Sequence, residues 1–397
     1  MLGEKKRDSG PYAYIAALGL GHFLTDLNQG GVPALLATFK DTYGLSYTLM
    51  GVILAVSNLT SSVAQPVFGY LTDAKRRRYL MPLGLLLATL GFAMLGLAKS
   101  FGQVLVAVAF SGLGVAAFHP EASKSANRVA GSGRVGASTS LFLVGGNAGT
   151  AMGPLLAAFY LAHMGLRGTV WNLSFGLPAV AVLALLLPGI AAAEARATGG
   201  TGRRKSERAA WLPEIVLLVV VGIRSFIQYG LTAFVPLYYH ARNVPGSTAV
   251  ILFSLLGAVA IGNLIGGHLA DRLGQQQVLL AATAFLVPAI LAAVVSAGWV
   301  AVVALAAVGL LIGAMYPVTL NLSQRFLPSY LGLASGLNIG FSVGIGGIGA
   351  VVLGRVADGL GLSSPMWVIA AMPVVALLLV ILLPRETIVE AYKSQPA

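Results

Sequence analysis

The chain has 397 residues, of which 57% are hydrophobic and only 10% are charged, and its mean hydropathy is +0.85. These values exclude an ordinary water-soluble domain, in which about a quarter of the residues are charged. Cysteine is absent, which excludes disulfides, thiolate metal sites and thiol chemistry.

Segments of roughly 20 apolar residues are needed to cross a bilayer, and about twelve such segments follow one another along the chain. We predict membrane-spanning helices at 12–37, 47–70, 79–98, 102–123, 134–161, 169–190, 211–239, 247–270, 277–297, 299–325, 332–357 and 364–384. The first segment carries Asp26 and ends without a small-residue cleavage pattern, so we expect it to remain as a span. The sequence therefore predicts an all-α membrane protein with the lipid bilayer as its main surroundings.

The net charge of +12 would suit a nucleic-acid-binding protein, but the basic residues sort by membrane side. Nineteen of the 25 Lys and Arg residues fall on the side that holds both chain ends, and five fall on the other. Because Lys and Arg accumulate in cytoplasmic loops, both termini are predicted to be cytoplasmic. We expect no nucleic-acid partner.

Two parts of the chain repeat each other. The segment from Gly69 to Asp73, followed by basic residues, returns as Gly267 to Asp271, again between two apolar segments. Between the repeats, residues 191–210 are polar, glycine-bearing and rich in charge, which is typical of a flexible connector. The predicted organisation is a six-helix bundle at 1–190, a cytoplasmic linker at 191–210 and a second six-helix bundle at 211–397.

Two six-span halves related as parallel repeats resemble the major facilitator superfamily. The loop after the second span is similar to that family's Gly-x-Leu-Ala-Asp-Arg-x-Gly-Arg-Lys motif. The runs from His22 to Gly30 and from Phe118 to Ser123 narrow the resemblance to the fosmidomycin resistance protein branch. This resemblance implies the major facilitator fold and a multi-pass protein of the bacterial inner membrane.

The resemblance also implies a gating role for the repeated loop residues, which are Gly69, Asp73, Arg77, Arg78, Gly267, Asp271 and Arg272. Asp73 would dock near the start of span eleven and Asp271 near span five, where a carboxylate can meet a positive helix N-terminus. The alternative is that the basic residues only determine topology.

Span five carries Gly145, Gly149 and Gly153 on one helical face, followed by Pro154. The element resembles the motif of antiporter members of the superfamily and favours export, whereas close helix packing is the alternative. Span eleven has Gly336, Gly340 and Gly344 but no proline, so a bend is expected in only one half.

Ionisable residues within a bilayer are costly, and Asp26, Glu121 and Arg224 therefore need a function. His22, Asp26 and Gln29 share one face of the first span. Spans one, four, seven and ten line the central cavity in this superfamily. We predict Asp26 or Glu121 as the proton-coupling carboxylate and His22 and His119 as relays. His119 and Glu121 are two residues apart and cannot share a helical face without distortion.

Arg224 is predicted to attract an anionic group of the substrate. The other predicted substrate-binding residues are polar side chains in the spans, namely Asn28, Gln29, Asn147, Gln228, Tyr316 and Asn338. Two alternatives stay open. In the first alternative, Asp26 and Arg224 form a permanent ion pair. In the second, the amide side chains bridge helices instead of lining a cavity.

The sequence thus predicts a proton-coupled transporter that exports small amphipathic or anionic compounds by alternating access. Its expected partners are the substrate, protons and the bilayer, with no cofactor beyond the proton gradient, no bound metal, no catalytic residue and a monomeric state. Uptake of an organic anion by symport and a lipid or lysolipid flippase are the alternatives within this fold. A metal-dependent membrane hydrolase is disfavoured because no His-Glu-x-x-His sequence occurs.

Overall fold

The computed structural model describes residues 10–383 apart from 75–76, 131–134, 198–209, 243–247, 328–333 and 335–336. These residues form twelve α-helices, which confirms the predicted all-α class. The first six are α1 (Gly10–Tyr43), α2 (Tyr47–Ala74), α3 (Leu80–Leu95), α4 (Phe101–Ala130), α5 (Val135–Met164) and α6 (Leu173–Ala197). The second six are α7 (Trp211–Ala241), α8 (Thr248–Leu273), α9 (Gln275–Val295), α10 (Gly298–Phe326), α11 (Ser342–Leu360) and α12 (Ser364–Leu382).

Every predicted span coincides with a helix, but several ends differ. A 3₁₀ helix at Leu166–Asn172 precedes α6, and a π-helical segment at Leu337–Phe341 precedes α11. The π-helical segment was not predicted, because the only helix distortion expected from the sequence was a bend at Pro154 of α5. Helix α6 continues to Ala197, through 191–197 of the predicted linker, since the run Ala-Ala-Ala-Glu-Ala-Arg-Ala consists of strong helix formers.

Ten of the described helical segments are long and apolar enough to cross a membrane, and α3 is a shorter apolar helix. Helix α1 is not among the ten, although it has 34 residues. Its polar residues at 22, 25, 26, 28 and 29 interrupt the apolar run. The most polar of the expected spans is therefore the one that carries Asp26.

The two halves meet at one end of the molecule and separate toward the other. We call the end at which α6 stops and α7 starts the linker end, and the opposite end the far end. At the far end, one apolar cluster contains residues of both halves, such as Phe39, Phe234 and Leu353. At the linker end each half has its own cluster, one around Phe118 and one around Val318.

The α2–α11 pair shows this divergence directly. A Cβ placed on Gly354, near the far end, would lie 2.6 Å from the Tyr47 carbonyl oxygen. One on Gly347, in the middle, would lie 3.2 Å from the Ala55 Cα, and one on Gly344 would lie 4.0 Å from the Leu59 side chain. A Cβ on Gly340, in the π-helical segment just before α11, would meet no described atom within 4 Å. The halves are therefore closed at the far end and open toward the linker end.

Candidate substrate and proton site

The polar face of α1 lies against α4 and α5 and carries the centre of the candidate site. Asp26 is placed between two imidazoles. Its Oδ2 lies 3.2 Å from Nε2 of His22, one helical turn away, and its Oδ1 lies 3.0 Å from Nε2 of His119 on α4. The Asp26 side chain is 14% exposed and that of His119 is 23% exposed. Three of the four residues predicted for proton coupling are thus in one cluster.

His22 is held in a fixed orientation. Its ring stacks on Phe142 of α5 at a centroid distance of 4.1 Å, and its Nδ1 lies 2.8 Å from the Phe142 carbonyl oxygen. The His119 ring meets its edge at 4.8 Å. Gly146 of α5 leaves room for this contact, because a Cβ there would overlap the His22 ring and lie 2.7 Å from Asp26 Oδ2.

This orientation determines where protons must be. A carbonyl oxygen only accepts, so His22 Nδ1 carries a proton and donates it to Phe142. Nε2 of the same ring faces Asp26 Oδ2, and two lone pairs at 3.2 Å would repel each other. A further proton therefore lies between His22 and Asp26, on the imidazole or on the carboxyl group. The ligating atoms of the cluster lie within 4.8 Å of one another, a spacing that would also admit a metal ion.

Glu121 is fully buried in α4, with 0% of its surface exposed. It is two residues from His119, and the two side chains differ in exposure as their positions on the helix predict. The structure brings His119, and not Glu121, to Asp26.

Arg224 of α7 lies in the second half and is 1% exposed. Its Nη2 donates to Ser342 Oγ at 2.7 Å, and its guanidinium carbon lies 4.2 Å from the ring centroid of Tyr316 on α10. Ser225 and Ser342 contact each other beside it. Among the described residues, Nε and Nη1 of Arg224 have no hydrogen-bond acceptor. Two buried donors are therefore available to an anionic group.

Tyr229 lies between the two charged groups and was not selected from the sequence. It is near Tyr316 and Arg224 in its own half and near Asp26 in the other. Gly346 of α11 makes space for its ring, because a Cβ there would overlap the ring carbons. Its position on α7, one residue beyond Gln228, was the only available signal.

The remaining predicted substrate residues separate into two groups. Gln29 and Asn58 of α2 are linked by a weak 3.4 Å hydrogen bond, and Gln228, Asn147 and Tyr316 are partly exposed. Asn28 instead donates to the Leu24 carbonyl oxygen and accepts from Asn172 at 2.6 Å, so it joins α1 to the 3₁₀ helix and does not face Asp26.

Asn338 lies in the π-helical segment and is fully buried. Neither of its amide atoms has a hydrogen-bond partner among the residues that the structure describes.

The predicted gating residues lie near the linker end. Arg78 forms an ion pair with Glu194 of α6, with 2.7 Å between Nη2 and Oε2, and so contacts its own half. The Gly69 carbonyl oxygen accepts from Lys124 of α4. Asp271 and Arg272 are exposed on α8, Arg77 is half-buried, and Gly267 faces Pro317 of α10. The side chain of Asp73, the first residues of span eleven and Gly336 lie outside the described residues.

The glycines of α5 pack against α1. A Cβ on Gly145, Gly149 or Gly153 would overlap backbone atoms of α1, at Gly19, Phe23 and Gly31 respectively. Pro154 continues the same helix. Close backbone approach, the packing alternative for this motif, is therefore present, and it positions Gly146 beside His22 and Asp26.

An apolar groove of about 570 Å³ lies on the opposite side of α1, between α1, α5 and α6. Its walls include Leu20, Leu24, Leu155 and Val182. The groove belongs to one half and lies away from the Asp26 face of α1.

Comparison with known proteins agrees with this architecture. A sequence profile described as Major Facilitator Superfamily matches residues 18–348 and 258–396. The chain belongs to the major facilitator superfamily. It is therefore a multi-pass membrane transporter, with two six-helix halves and the predicted fold.

Individual relatives cover nearly the whole chain. It is 34% identical over 386 residues to the uncharacterized MFS-type transporter YfnC of Bacillus subtilis (strain 168), covering 94% of this chain and 93% of the relative. It is 32% identical over 381 residues to the fosmidomycin resistance protein of Escherichia coli (strain K12), with the same coverage. These two matches confirm the predicted family resemblance.

Among solved structures, a bacterial homolog of the human lysosomal transporter Spinster, in an inward-facing and occupied conformation, superposes with a TM-score of 0.75. The sequence identity is 18%, and the match covers 98% of this chain and 100% of the other. This likeness concerns the fold.

Proposed function

We propose that this transporter exports small amphipathic or anionic compounds in exchange for protons, by alternating access. The observation that carries the proposal is the His22–Asp26–His119 cluster of one half, in which a carboxylate is directed at two imidazoles, together with the buried Arg224 of the other half. The similarity to a protein named for fosmidomycin resistance supports a drug-like cargo.

The cluster supplies the proton step. Asp26 is bound on both oxygens in the conformation that is open toward the linker end. Loss of the proton shared with His22 would leave a lone pair facing the carboxylate within α1, so that Asp26 would be held through His119 of α4. Protonation thereby changes how Asp26 is held at the α1–α4 contact.

Arg224 supplies the substrate step. A buried cation with two unused donors is costly, and a carboxylate or phosphonate accepting from Nε and Nη1 would offset that cost. Tyr316 lies under the guanidinium and would hold its plane in place.

Tyr229 lies near both Arg224 and Asp26. An anion on Arg224 cancels a positive charge in the neighbourhood of Asp26, which by itself raises the proton affinity of the cluster. Proton release on substrate binding, as exchange requires, therefore has to come from the change of conformation that substrate binding favours.

The charge asymmetry supports a cytoplasmic linker end in a protein of the bacterial inner membrane. The structure would then be open to the cytoplasm, from which an exporter takes its cargo. The proton gradient serves as the only energy source, and the transporter works as a monomer. Uptake by symport is the competing direction, and transport measurements separate the two.

Everted membrane vesicles with an acid interior and a pH-sensitive dye test the proposal. Adding fosmidomycin, the first compound to try, should dissipate the pH gradient with wild-type protein and not with Asp26→Asn. Asp41→Asn, which alters an exposed carboxylate at the far end, should behave as wild type. Cells expressing the wild type should also tolerate more of the drug. Wild-type vesicles that keep their gradient in the presence of every compound to which expression gives resistance would contradict proton-coupled export.

A further inference from the structure

The far-end closure of the molecule includes a helix cap supplied by the opposite half. Asp358, on the last turn of α11, reaches the first turn of α2. Its Oδ1 accepts from the Tyr47 backbone N–H at 2.8 Å, and its Oδ2 accepts from the Thr48 N–H at 2.9 Å. The Thr48 hydroxyl donates to Oδ2 as well. One carboxylate therefore takes three donors across the boundary between the halves.

The start of a helix suits such a contact. Its first N–H groups have no partner within the helix, and the aligned peptide dipoles make this end positive. Just before α2, the hydroxyl oxygen of Ser46 accepts from the Leu49 N–H at 3.2 Å, and this side chain also lies beside Asp358. Asp358 provides the charged acceptor for the two preceding N–H groups. The cap that α2 requires is thus completed by a residue more than 300 positions away in the sequence.

The contact exists only while the two helices are close at this end. Gly354, one turn before Asp358, allows α11 to lie against the Tyr47 backbone, and a Cβ on Gly51 of α2 would overlap Ala350. The same helix pair is less close further along, where a Cβ on Gly344 would lie 4.0 Å from the Leu59 side chain. Opening of the far end would separate Asp358 from α2 and leave both the carboxylate and the N–H groups to water.

We propose that Asp358 is a latch that stabilises the far-end-closed conformation by capping α2 from the opposite half. The proposal rests on the alternation between conformations in the proposed function, but not on the identity of the cargo or on proton coupling. Loss of a helix cap changes an equilibrium by about five- to thirtyfold. We expect Asp358→Ala to shift the population toward far-end-open molecules by a factor in this range.

Distances between spin labels measure this shift. The chain has no native cysteine, so labels attach only where cysteines are introduced. Lys99→Cys and Trp299→Cys place one label on each half at the far end, at exposed positions outside the latch. Arg128→Cys and Arg325→Cys do the same at the linker end. The measurement is made without substrate and at one pH, so a failure of proton coupling leaves it unaffected.

With Asp358→Ala, the far-end distances should lengthen and the linker-end distances should shorten. Asp358→Asn should shift them less, because asparagine also caps helices well. Thr48→Ala, which removes one donor from the other side of the contact, should give a small shift in the same direction and serves if the Ala variant does not fold. Asp41→Ala, at the same end but without a hydrogen bond to α2 among the described residues, should leave both distributions unchanged. The proposal would be overturned by unchanged distances in Asp358→Ala. If that variant does not fold, unchanged distances in both Asp358→Asn and Thr48→Ala would overturn it. A shift in Asp41→Ala equal to that in Asp358→Ala would also overturn it.

Discussion

Asp26 and Arg224 both lie near Tyr229, yet among the described residues they form no ion pair with each other. Asp26 binds His22 and His119 within the first half, and Arg224 binds Ser342 and Tyr316 within the second. The permanent Asp26–Arg224 ion pair considered from the sequence is therefore not the arrangement in this conformation. Each charge is held by its own half, so the halves can separate without breaking a buried ion pair.

Arg224→Ala should weaken binding of an anionic compound by more than tenfold, because a charge-assisted hydrogen bond contributes about 1.5–3 kcal/mol. A neutral compound of similar size should lose little. Arg224→Lys should recover only part of the loss, since an ammonium group lacks the planar fork of a guanidinium. Binding to purified protein checks this, with Arg242→Ala, a far-end arginine against Tyr238, as the control. Equal losses for the anionic and the neutral compound would rule out the anion role.

Tyr229→Phe should separate transport from proton movement. The substitution keeps the ring in the space beside Gly346 and removes the hydroxyl group, which lies near Asp26 and Arg224. We expect substrate binding within a few-fold of wild type and a lower ratio of protons moved to substrate transported. Tyr239→Phe, at the far end, is the matched control because its hydroxyl donates only to the Ala293 carbonyl oxygen among the described residues. A wild-type ratio in Tyr229→Phe would remove this residue from the coupling.

Gly149→Ala should destabilise the first half. The added methyl group would overlap the Phe23 carbonyl oxygen and force α1 and α5 apart, which typically costs about 1–3 kcal/mol. The melting temperature of the purified protein should fall by several degrees. Gly102→Ala, in a helix position with no atom within 4 Å, should leave it unchanged or raise it slightly. Equal melting temperatures for the two variants would show that α1 and α5 do not pack this closely at Gly149.

Arg78→Ala should lower the thermal stability of the protein, because Arg78 contacts its own half. The arginine holds the buried Glu194 carboxylate through two nitrogens, and its removal leaves that charge without this ion pair. We expect a loss of about 1–3 kcal/mol, partly recovered in Arg78→Ala combined with Glu194→Gln. Thermal unfolding of the four proteins in a double-mutant cycle measures the coupling. Strictly additive effects would show that the pair contributes nothing.

The sequence predicted the fold and half of the site for identifiable reasons. Apolar segment lengths located all twelve helices, and the spacing of His22, Asp26 and Gln29 placed them on one face of α1. His119 was predicted as a relay on a span that lines the same cavity as span one, but the sequence did not decide whether His119 or Glu121 would face Asp26. These features depend on local periodicity or on the family architecture, both of which can be read from one chain.

The other features depend on contacts between distant residues. Asp358 is an ordinary exposed aspartate in the sequence, and only the approach of α11 to α2 turns it into a cap. Asn28 was expected in the cavity, but it is rotated away from Asp26 on α1 and meets Asn172. Tyr229 gains its position from the space that Gly346 leaves in a helix of the same half. None of these relations has a periodic signature.

In the proposed exchange, the His22–Asp26–His119 cluster holds the proton that is exchanged for substrate. Proton release from purified protein, measured in weakly buffered solution when a saturating transported compound is added, tests this role. The wild type should release protons, Asp26→Asn should release none although it still binds the compound, and a metal chelator should have no effect on the wild type. Equal release from Asp26→Asn and the wild type would exclude Asp26 as the proton carrier.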